Sequence, residues 1–177
     1  PAPRKVMVKN LVLFYGDRIR DVLLNYDSLW RRCVYESFSH ENIQVLKEYL
    51  HGAFERLKQA SFAKERIDDL REKMEREGTM DNDILFLINF HFYYFITLIR
   101  ALGDNLAWIL NYYCKMNLES DPKNIDVART KFKDALKRER TEIFVKICQG
   151  SGYESYCQLR DFRDIVVHRH ALHVVPV

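Results

Sequence analysis

The chain has 177 residues, of which 47% are hydrophobic and 30% are charged. This balance excludes intrinsic disorder and low-complexity composition, and the length suits a single domain over residues 1–177. Six glycines and four prolines are too few for a β-sandwich or barrel, which needs turn residues roughly every 8 to 12 positions. The net charge of +3 permits an anionic partner without requiring one. We therefore expect an all-α domain.

The four cysteines form neither a metal-binding nor a disulfide pattern. They lie at least nine residues apart, so the chain has no CxxC pair. The apolar run near the N-terminus is interrupted by Lys9 and Asn10 and lacks the small-residue cleavage site of a signal peptide. These features predict reduced thiols and a cytoplasmic protein.

Two amphipathic segments predict the first two helices. Apolar residues recur at helical spacing over residues 17–37, with Asp17 as the N-cap. The capping-box-like segment 39–42 begins a second helix, which continues to about residue 76. Charged residues dominate positions 63–77, so we expect this end to project into solvent or to form a separate short helix.

The strongest periodicity lies between residues 82 and 117. Apolar side chains advance there in steps of three and four, which places them on one stripe of a long core helix. The stripe consists of Leu85, Ile88, Phe92, Phe95, Ile99, Leu102, Leu106, Ile109 and Tyr113. Residues 84–102 are about long enough to span a bilayer, but polar residues, including His91 and Arg100, interrupt them. We therefore predict no membrane partner.

Two lines of polar side chains are candidate binding surfaces. A second face of the long helix is typical of an ordinary ion-paired or solvated surface, and it carries Thr97, Arg100, Asp104 and Asn111. The next helix, predicted over residues 124–149, has a basic stripe at i, i+4, i+8 and i+11 that consists of Arg129, Lys133, Lys137 and Arg140. Neighbouring acidic residues dilute this stripe, so a solvated face and an RNA phosphate-binding surface remain alternatives.

A Gly-Ser-Gly break at residues 150–152 precedes the last predicted helix, which runs from Tyr153 to about His168. The segments together predict an antiparallel bundle of four or five helices. The β-branched runs at residues 5–13 and 171–177 predict a short β ribbon formed by the two termini.

The end of the last helix concentrates residues that can do chemistry. Arg160, Arg163, Asp164 and His168 lie within nine residues. The string Arg163-Asp164-x-x-x-His168 resembles the R-x4-6-H signature of the HEPN superfamily, which consists of helical domains that end on this motif. Such an arrangement implies a HEPN-like bundle whose motif-bearing part spans residues 82–170.

A second feature supports the resemblance. The pair Asp104-Asn105 is similar to an Asp-Asn pair on the long apolar helix of these proteins, where it would support the site. Residues 1–80, by contrast, match only as generic helices. The resemblance therefore concerns the second half of the chain.

The resemblance implies a metal-independent endoribonuclease or RNA-binding protein that needs no cofactor and acts in defence, in a toxin and antitoxin pair or in RNA processing. Histidine exchanges a proton near neutral pH, so His168 would serve as the acid or base that activates the 2′-hydroxyl of RNA. The planar guanidinium of Arg163 would hold phosphate oxygens as negative charge develops. Asp164, one helical turn before His168, would orient the imidazole or its partner arginine.

The resemblance also implies partners. RNA would contact Arg160 and the basic stripe, and a homodimer would bring two motifs to one cleft. An antitoxin or a nucleotidyltransferase is a further partner class of similar proteins.

Three alternatives remain open. Arg160 and Arg163 can simply pair with Asp164 or Asp104, which would leave His168 as an ordinary helix-end histidine. A non-catalytic HEPN-like module would bind a nucleotide or a protein partner through the same cleft. A metal site at residues 168, 170 and 173 is disfavoured, because the first two positions point about 200° apart on a helix.

Overall fold

A computed structural model describes residues 43–78 and 81–168, together with positions 21, 28 and 31. For residues 151, 160 and 162–168 the description covers the backbone alone. The α-helices are α1 (Ile43–Glu77), α2 (Asn82–Tyr113), α3 (Thr130–Glu139), α4 (Thr141–Cys148) and α5 (Ser151–His168), and a 3-10 helix (Pro122–Asn124) precedes α3.

The predicted all-α antiparallel bundle is confirmed, since the described ranges contain helices and no strand. Positions 21, 28 and 31 are helical, as expected for the first predicted helix. The remainder of residues 17–37 and both halves of the predicted β ribbon lie outside the described residues.

Helices α1 and α2 pack as a long antiparallel hairpin. Gly78, at the end of α1, adopts a φ of 63°, a left-handed conformation that favours glycine. The carboxylate of Asp81 then caps α2 by accepting a hydrogen bond of 2.8 Å from the Asp83 amide. At the opposite end of the hairpin, the Tyr49 ring stacks on Trp108 with centroids 5.5 Å apart. The two helices therefore stay in contact along most of their length.

The first core lies between α1 and the N-terminal half of α2. Small residues on α1, Ala60 and Ala63, are fully buried and allow the large side chains of α2, such as Phe92 and Phe95, to fill the space between the helices. Their burial removes apolar surface from water, which is the main stabilising contribution to the hairpin. The first core therefore combines small residues on one helix with large residues on the other.

The expectation that residues 63–77 project into solvent or form a separate helix is wrong. The helix is continuous, Ile67 is 4% exposed, and Leu70 and Met74 pack against the first core. The charged residues instead surround a narrow apolar stripe and pair along the helix, as Lys64 and Asp68 do at 2.5 Å. Composition alone obscured this stripe because charged residues outnumber its members.

The second core packs around the C-terminal half of α2. Phe132 and Leu136 of α3 are fully buried there, and Cys148 at the end of α4 is 8% exposed. Asn111 is also fully buried, and its side chain donates to the Glu119 carboxylate at 2.7 Å and accepts from the Leu118 amide at 3.1 Å. A buried amide needs such partners, so Asn111 holds the loop that follows α2 against the core.

The apolar stripe predicted on α2 is only half correct. Its first members, such as Phe92 and Ile99, are buried, but Leu106 and Tyr113 are each 37% exposed. Ala107 and other residues on a neighbouring face are buried in their place. A stripe that repeats every 3.5 residues drifts by about 20° per heptad around a straight helix, so it leaves the core face after two heptads.

The single helix predicted over residues 124–149 is also wrong. Arg140 adopts φ −149° and ψ 80°, which ends α3 and lets α4 begin at Thr141. The Thr141 hydroxyl donates to the Lys137 carbonyl oxygen at 2.8 Å and so satisfies a group that the break would leave unpaired. Apolar residues continue at helical spacing across the break, so periodicity did not reveal it.

The outward face of the N-terminal half of α2 is apolar as well. Phe86 is 69% exposed, Phe90 57% and Leu87 42%. This makes α2 the one helix among those described that is long and apolar enough to cross a membrane, by length and composition only. The core helix of a soluble protein passes the same test, and the inner face of α2 is indeed buried.

The two faces of α2 predict opposite responses to the same substitution. Phe95→Ala should lower the free energy of unfolding by about 3 to 5 kcal/mol, because it leaves a cavity in the first core. Phe86→Ala, on the exposed face, should change it by less than about 0.5 kcal/mol. Urea denaturation of both variants measures the difference, and equal losses would show that the faces are wrongly assigned.

Candidate functional site

The segment Arg163-Asp164-x-x-x-His168 lies on α5, whose helical backbone continues through His168. The predicted last helix is therefore confirmed, although it begins two residues earlier than expected. Residues four apart on a helix share a face, so Asp164 and His168 occupy one face of α5. The side chains of Arg160 and of residues 162–168 lie outside the described part of the structure.

A glycine separates α4 from α5. A Cβ at Gly150 would lie 2.6 Å from the carbonyl oxygen of Lys146, closer than real Cβ atoms come. The carbonyl oxygen of Gly150 accepts a hydrogen bond of 3.0 Å from the Tyr153 amide, within the first turn of α5. Of the three residues in the Gly-Ser-Gly break, Gly150 is the one at which the change of chain direction requires a glycine.

Helix α5 touches α2 at a second glycine. A Cβ at Gly103 would overlap the Tyr156 ring, so this ring lies directly against the backbone of α2. One turn later, Leu159 is 3% exposed and belongs to the first core, whereas Tyr156 packs against the second. Because the first core surrounds the N-terminal half of α2, α5 runs antiparallel to α2.

A group of polar side chains surrounds the same contact, and we name it the Arg100 cluster. It consists of Arg100, Asp104, Asp126 and Tyr156. The Arg100 guanidinium lies 2.5 Å from an Asp104 carboxylate oxygen and 3.0 Å from one of Asp126. It also donates to the Tyr156 hydroxyl, and its central carbon lies 5.6 Å from the centroid of the Tyr156 ring. One arginine thus joins α2, the segment before α3, and α5.

The position of Asp126 is itself well determined. Its second carboxylate oxygen accepts a hydrogen bond of 2.9 Å from the Ala128 amide, and the residues on either side, Ile125 and Val127, are buried. The Arg100 and Asp126 side chains are only 18% and 13% exposed, so solvent screens their ion pair less than it screens a surface pair. The cluster therefore has a rigid attachment to the second core.

Asp104 and Asn105 were expected to support the site together, but their side chains make separate contacts. Asp104 belongs to the Arg100 cluster and its side chain is 48% exposed. Asn105 is 8% exposed and donates to the Tyr49 carbonyl oxygen at 3.1 Å, so it connects α2 to α1. Successive residues point about 100° apart on a helix, which places the two side chains on different faces.

The basic stripe is distributed over a helix and both of its ends. Lys133 and Lys137 lie on α3, while Arg129 precedes α3 and Arg140 forms the break before α4. We call these four residues the basic surface. The Lys133 ammonium lies 5.7 Å from the centroid of the Tyr153 ring on α5, and that of Lys137 lies 5.9 Å from the Phe144 ring. The basic surface therefore adjoins the start of α5.

The buried cysteines are poor candidates for a nucleophile. Burial raises the pKa of the Cys114 thiol, and burial is also the largest cause of the raised pKa of Cys148. A thiol with a raised pKa carries less of the reactive thiolate at neutral pH. Both residues act as small apolar members of the second core.

A metal site was disfavoured from the sequence, and the structure describes only part of the three-histidine segment. No group of three His, Cys, Asp or Glu side chains suited to a metal ion occurs among the described residues. The second and third histidines of that segment, His170 and His173, lie outside them.

Sequence reasoning missed the Arg100 cluster as a unit. The polar face predicted on α2 is confirmed as ion-paired at Arg100 and Asp104, but it is wrong for Asn111, which is fully buried because its amide bonds the loop that follows α2. Asp126 and Tyr156 lie far away in sequence, and a lone tyrosine on an amphipathic helix carries no readable signal for such a contact. The second core brings Asp126 to Arg100, and the packing of α5 on Gly103 brings Tyr156 there.

The contact between Gly103 and Tyr156 predicts an unusual effect of alanine. Gly103→Ala should lower the free energy of unfolding by about 1 to 3 kcal/mol through overlap with the ring, although alanine favours helix formation. Gly152→Ala is the matched control, because nothing lies within 4 Å of an added Cβ there, and it should be neutral or stabilising. Chemical denaturation measures both effects.

A double-mutant cycle separates the overlap from other causes. The cost of Gly103→Ala should shrink in a Tyr156→Ala background, where no ring opposes the new methyl group. An equal cost in both backgrounds would contradict the close contact.

Comparison of the chain with protein-family models, with curated proteins and with solved structures returned no match.

Proposed function

We propose that this chain is a metal-independent HEPN-type endoribonuclease, in which the 2′-hydroxyl of RNA attacks the adjacent phosphorus. The observation that carries the proposal is the uninterrupted helical backbone of α5 through His168. This backbone places Asp164 and His168, four residues apart, on one face of α5.

In the proposed reaction, His168 takes the proton of the 2′-hydroxyl as the new bond to phosphorus forms. The bond from phosphorus to the 5′-oxygen then breaks, and that oxygen takes a proton. Arg163 stabilises the negative charge that develops on the phosphate oxygens. The products are a 2′,3′-cyclic phosphate and a 5′-hydroxyl.

One arginine and one histidine are few for this task, and we propose a homodimer whose two motifs face one cleft. Two copies supply a histidine for proton removal and another for proton delivery. A two-fold interface near residues 155–170 would be isologous. An antitoxin or a nucleotidyltransferase is the further partner class, with a role in defence, in a toxin and antitoxin pair or in RNA processing.

The distribution of charge supports RNA as the ligand. Residues 129–140 contain six Lys and Arg against two acidic residues, whereas α1 contains eight of each sign. The basic surface adjoins Tyr153, about 15 Å before Arg163 along α5 at the rise of an α-helix. A single RNA strand can therefore contact the basic surface and the motif together.

Removal of the proposed base is the central test. In a chelator such as EDTA, the wild-type protein should cleave labelled single-stranded RNA and leave 2′,3′-cyclic phosphate ends. His168→Ala should abolish cleavage while RNA binding stays mostly intact, because proton transfer affects the transition state more than ground-state affinity. Arg163→Ala should weaken both, and Asp164→Asn should have an intermediate effect.

His51→Ala is a suitable control, since His51 is an exposed histidine on α1. It should cleave as the wild type does, and DNA, which lacks the 2′-hydroxyl, should stay intact. Equal cleavage by the wild type and His168→Ala would assign the activity to another source. Binding without cleavage, across several RNA substrates, would favour the non-catalytic HEPN-like module.

The basic surface predicts a defined salt dependence. Lys133→Glu with Lys137→Glu should weaken RNA binding and flatten its dependence on salt, because fewer counterions are released from the RNA. Binding titrations from low to moderate salt measure the slope. Lys58→Glu with Lys73→Glu on α1 provides a control of equal charge change and should keep the wild-type slope. An unchanged slope in the first variant would remove the basic surface from the site.

A further inference from the structure

Helix α5 carries the proposed motif near its C-terminal end, yet its described contacts with α2 occur one to three turns earlier. Tyr156 meets Gly103 and Arg100, and Leu159 enters the first core. The helical backbone is continuous from Tyr156 to His168. A helix of this length moves nearly as a rigid body, so the contacts at Tyr156 determine where the later residues lie.

The Tyr156 contact defines the rotation of α5 about its axis and its position along that axis. Gly103 lets the ring lie against the backbone of α2, which sets the distance between the helices. The central carbon of the Arg100 guanidinium lies 5.6 Å from the ring centroid, and Asp104 and Asp126 hold the guanidinium in place from two other directions. The Tyr156 hydroxyl receives its hydrogen bond from the same guanidinium, which sets the position of α5 along its axis.

A small change at this contact has a large effect at the motif. A rotation of α5 by roughly 20° moves a point on its outer surface by about 2 Å, given a helix radius of about 5 to 6 Å with side chains. Misplacement of a reacting group by about 1 Å can cost about 100-fold in rate. A contact that fixes the rotation of α5 therefore matters for any chemistry at its C-terminal end.

We propose that Arg100 is a positioning residue for the segment Arg163-Asp164-x-x-x-His168. Its guanidinium is held between Asp104 and Asp126. Through Tyr156 it fixes the rotation of α5 and its position along the helix axis. The inference rests on the proposed function for its catalytic consequence. The structural part, the hold of Arg100 on α5, is independent of that function.

The experiment uses two variants that preserve much of the contact. Tyr156→Phe keeps the ring against Gly103 and removes only the hydroxyl, while Arg100→Lys keeps the charge and removes the planar fork that contacts three partners. Tyr94→Phe is the matched control, because the Tyr94 hydroxyl also bonds between helices, to Gln59 at 3.1 Å, but outside the Arg100 cluster.

Two readouts are measured on each variant of the full chain. Amide hydrogen exchange should accelerate over residues 153–168 in Tyr156→Phe and Arg100→Lys, with the α1 and α2 hairpin unchanged. In RNA cleavage assays, kcat should fall by about 10- to 100-fold while KM changes much less, because the basic surface is untouched. Tyr94→Phe should match the wild type in both.

The outcomes distinguish this inference from the proposed function. Unchanged exchange in α5 of both variants would overturn the positioning role, whatever the activity. Accelerated exchange with unchanged kcat would also overturn it, since α5 would move without consequence for the motif. If the wild-type protein does not cleave RNA and the two variants still show accelerated exchange in α5, the proposed function is refuted. The hold of Arg100 on α5 is then established independently.

Discussion

The placement of α5 depends on one contact, the Tyr156 ring against the backbone of α2 at Gly103. The absence of a side chain at Gly103 permits the approach, and the Arg100 guanidinium completes it by bonding the tyrosine hydroxyl and two carboxylates. Hydrophobic burial of Leu159 holds α5 on the bundle without selecting a rotation, because apolar contacts are not directional. The hydrogen bonds of the Arg100 cluster are directional, so they select one arrangement.

The sequence predicted those parts of the fold that depend on local pattern. The apolar spacing of residues such as Phe92 and Phe95 predicted the core helix, and the Gly-Ser-Gly segment predicted the start of α5. These features are readable because each depends on residues within a few turns of one another. The ion pair of Arg100 with Asp104 belongs to the same class, since residues four apart on a helix are neighbours.

The parts that sequence could not predict depend on contacts between distant segments. Asp126 and Tyr156 approach Arg100 only because the second core folds the chain back on α2. The break at Arg140 is similar: apolar residues keep helical spacing across it, and residues of both short helices, such as Phe132 and Cys148, pack in the second core. The expected role of Asn105 in the site depended on resemblance alone, and the structure shows this side chain bonded to α1 instead.

The Arg100 cluster contributes more to the orientation of α5 than to the stability of the fold. Removing two partly buried charges from water costs several kcal/mol, and their attraction returns a similar amount, so such pairs often contribute little net stability. Apolar side chains of equal volume would hold α5 against α2 about as strongly. They would restrict rotation and sliding only through the fit of their shapes, because they offer no preferred hydrogen-bond geometry. Under the proposed function, the last turns of α5 must present an arginine, a carboxylate and an imidazole to the substrate, and a directional contact suits that task. The cluster lies two turns before Arg163, so its directional contact acts on the helical backbone that leads into those turns.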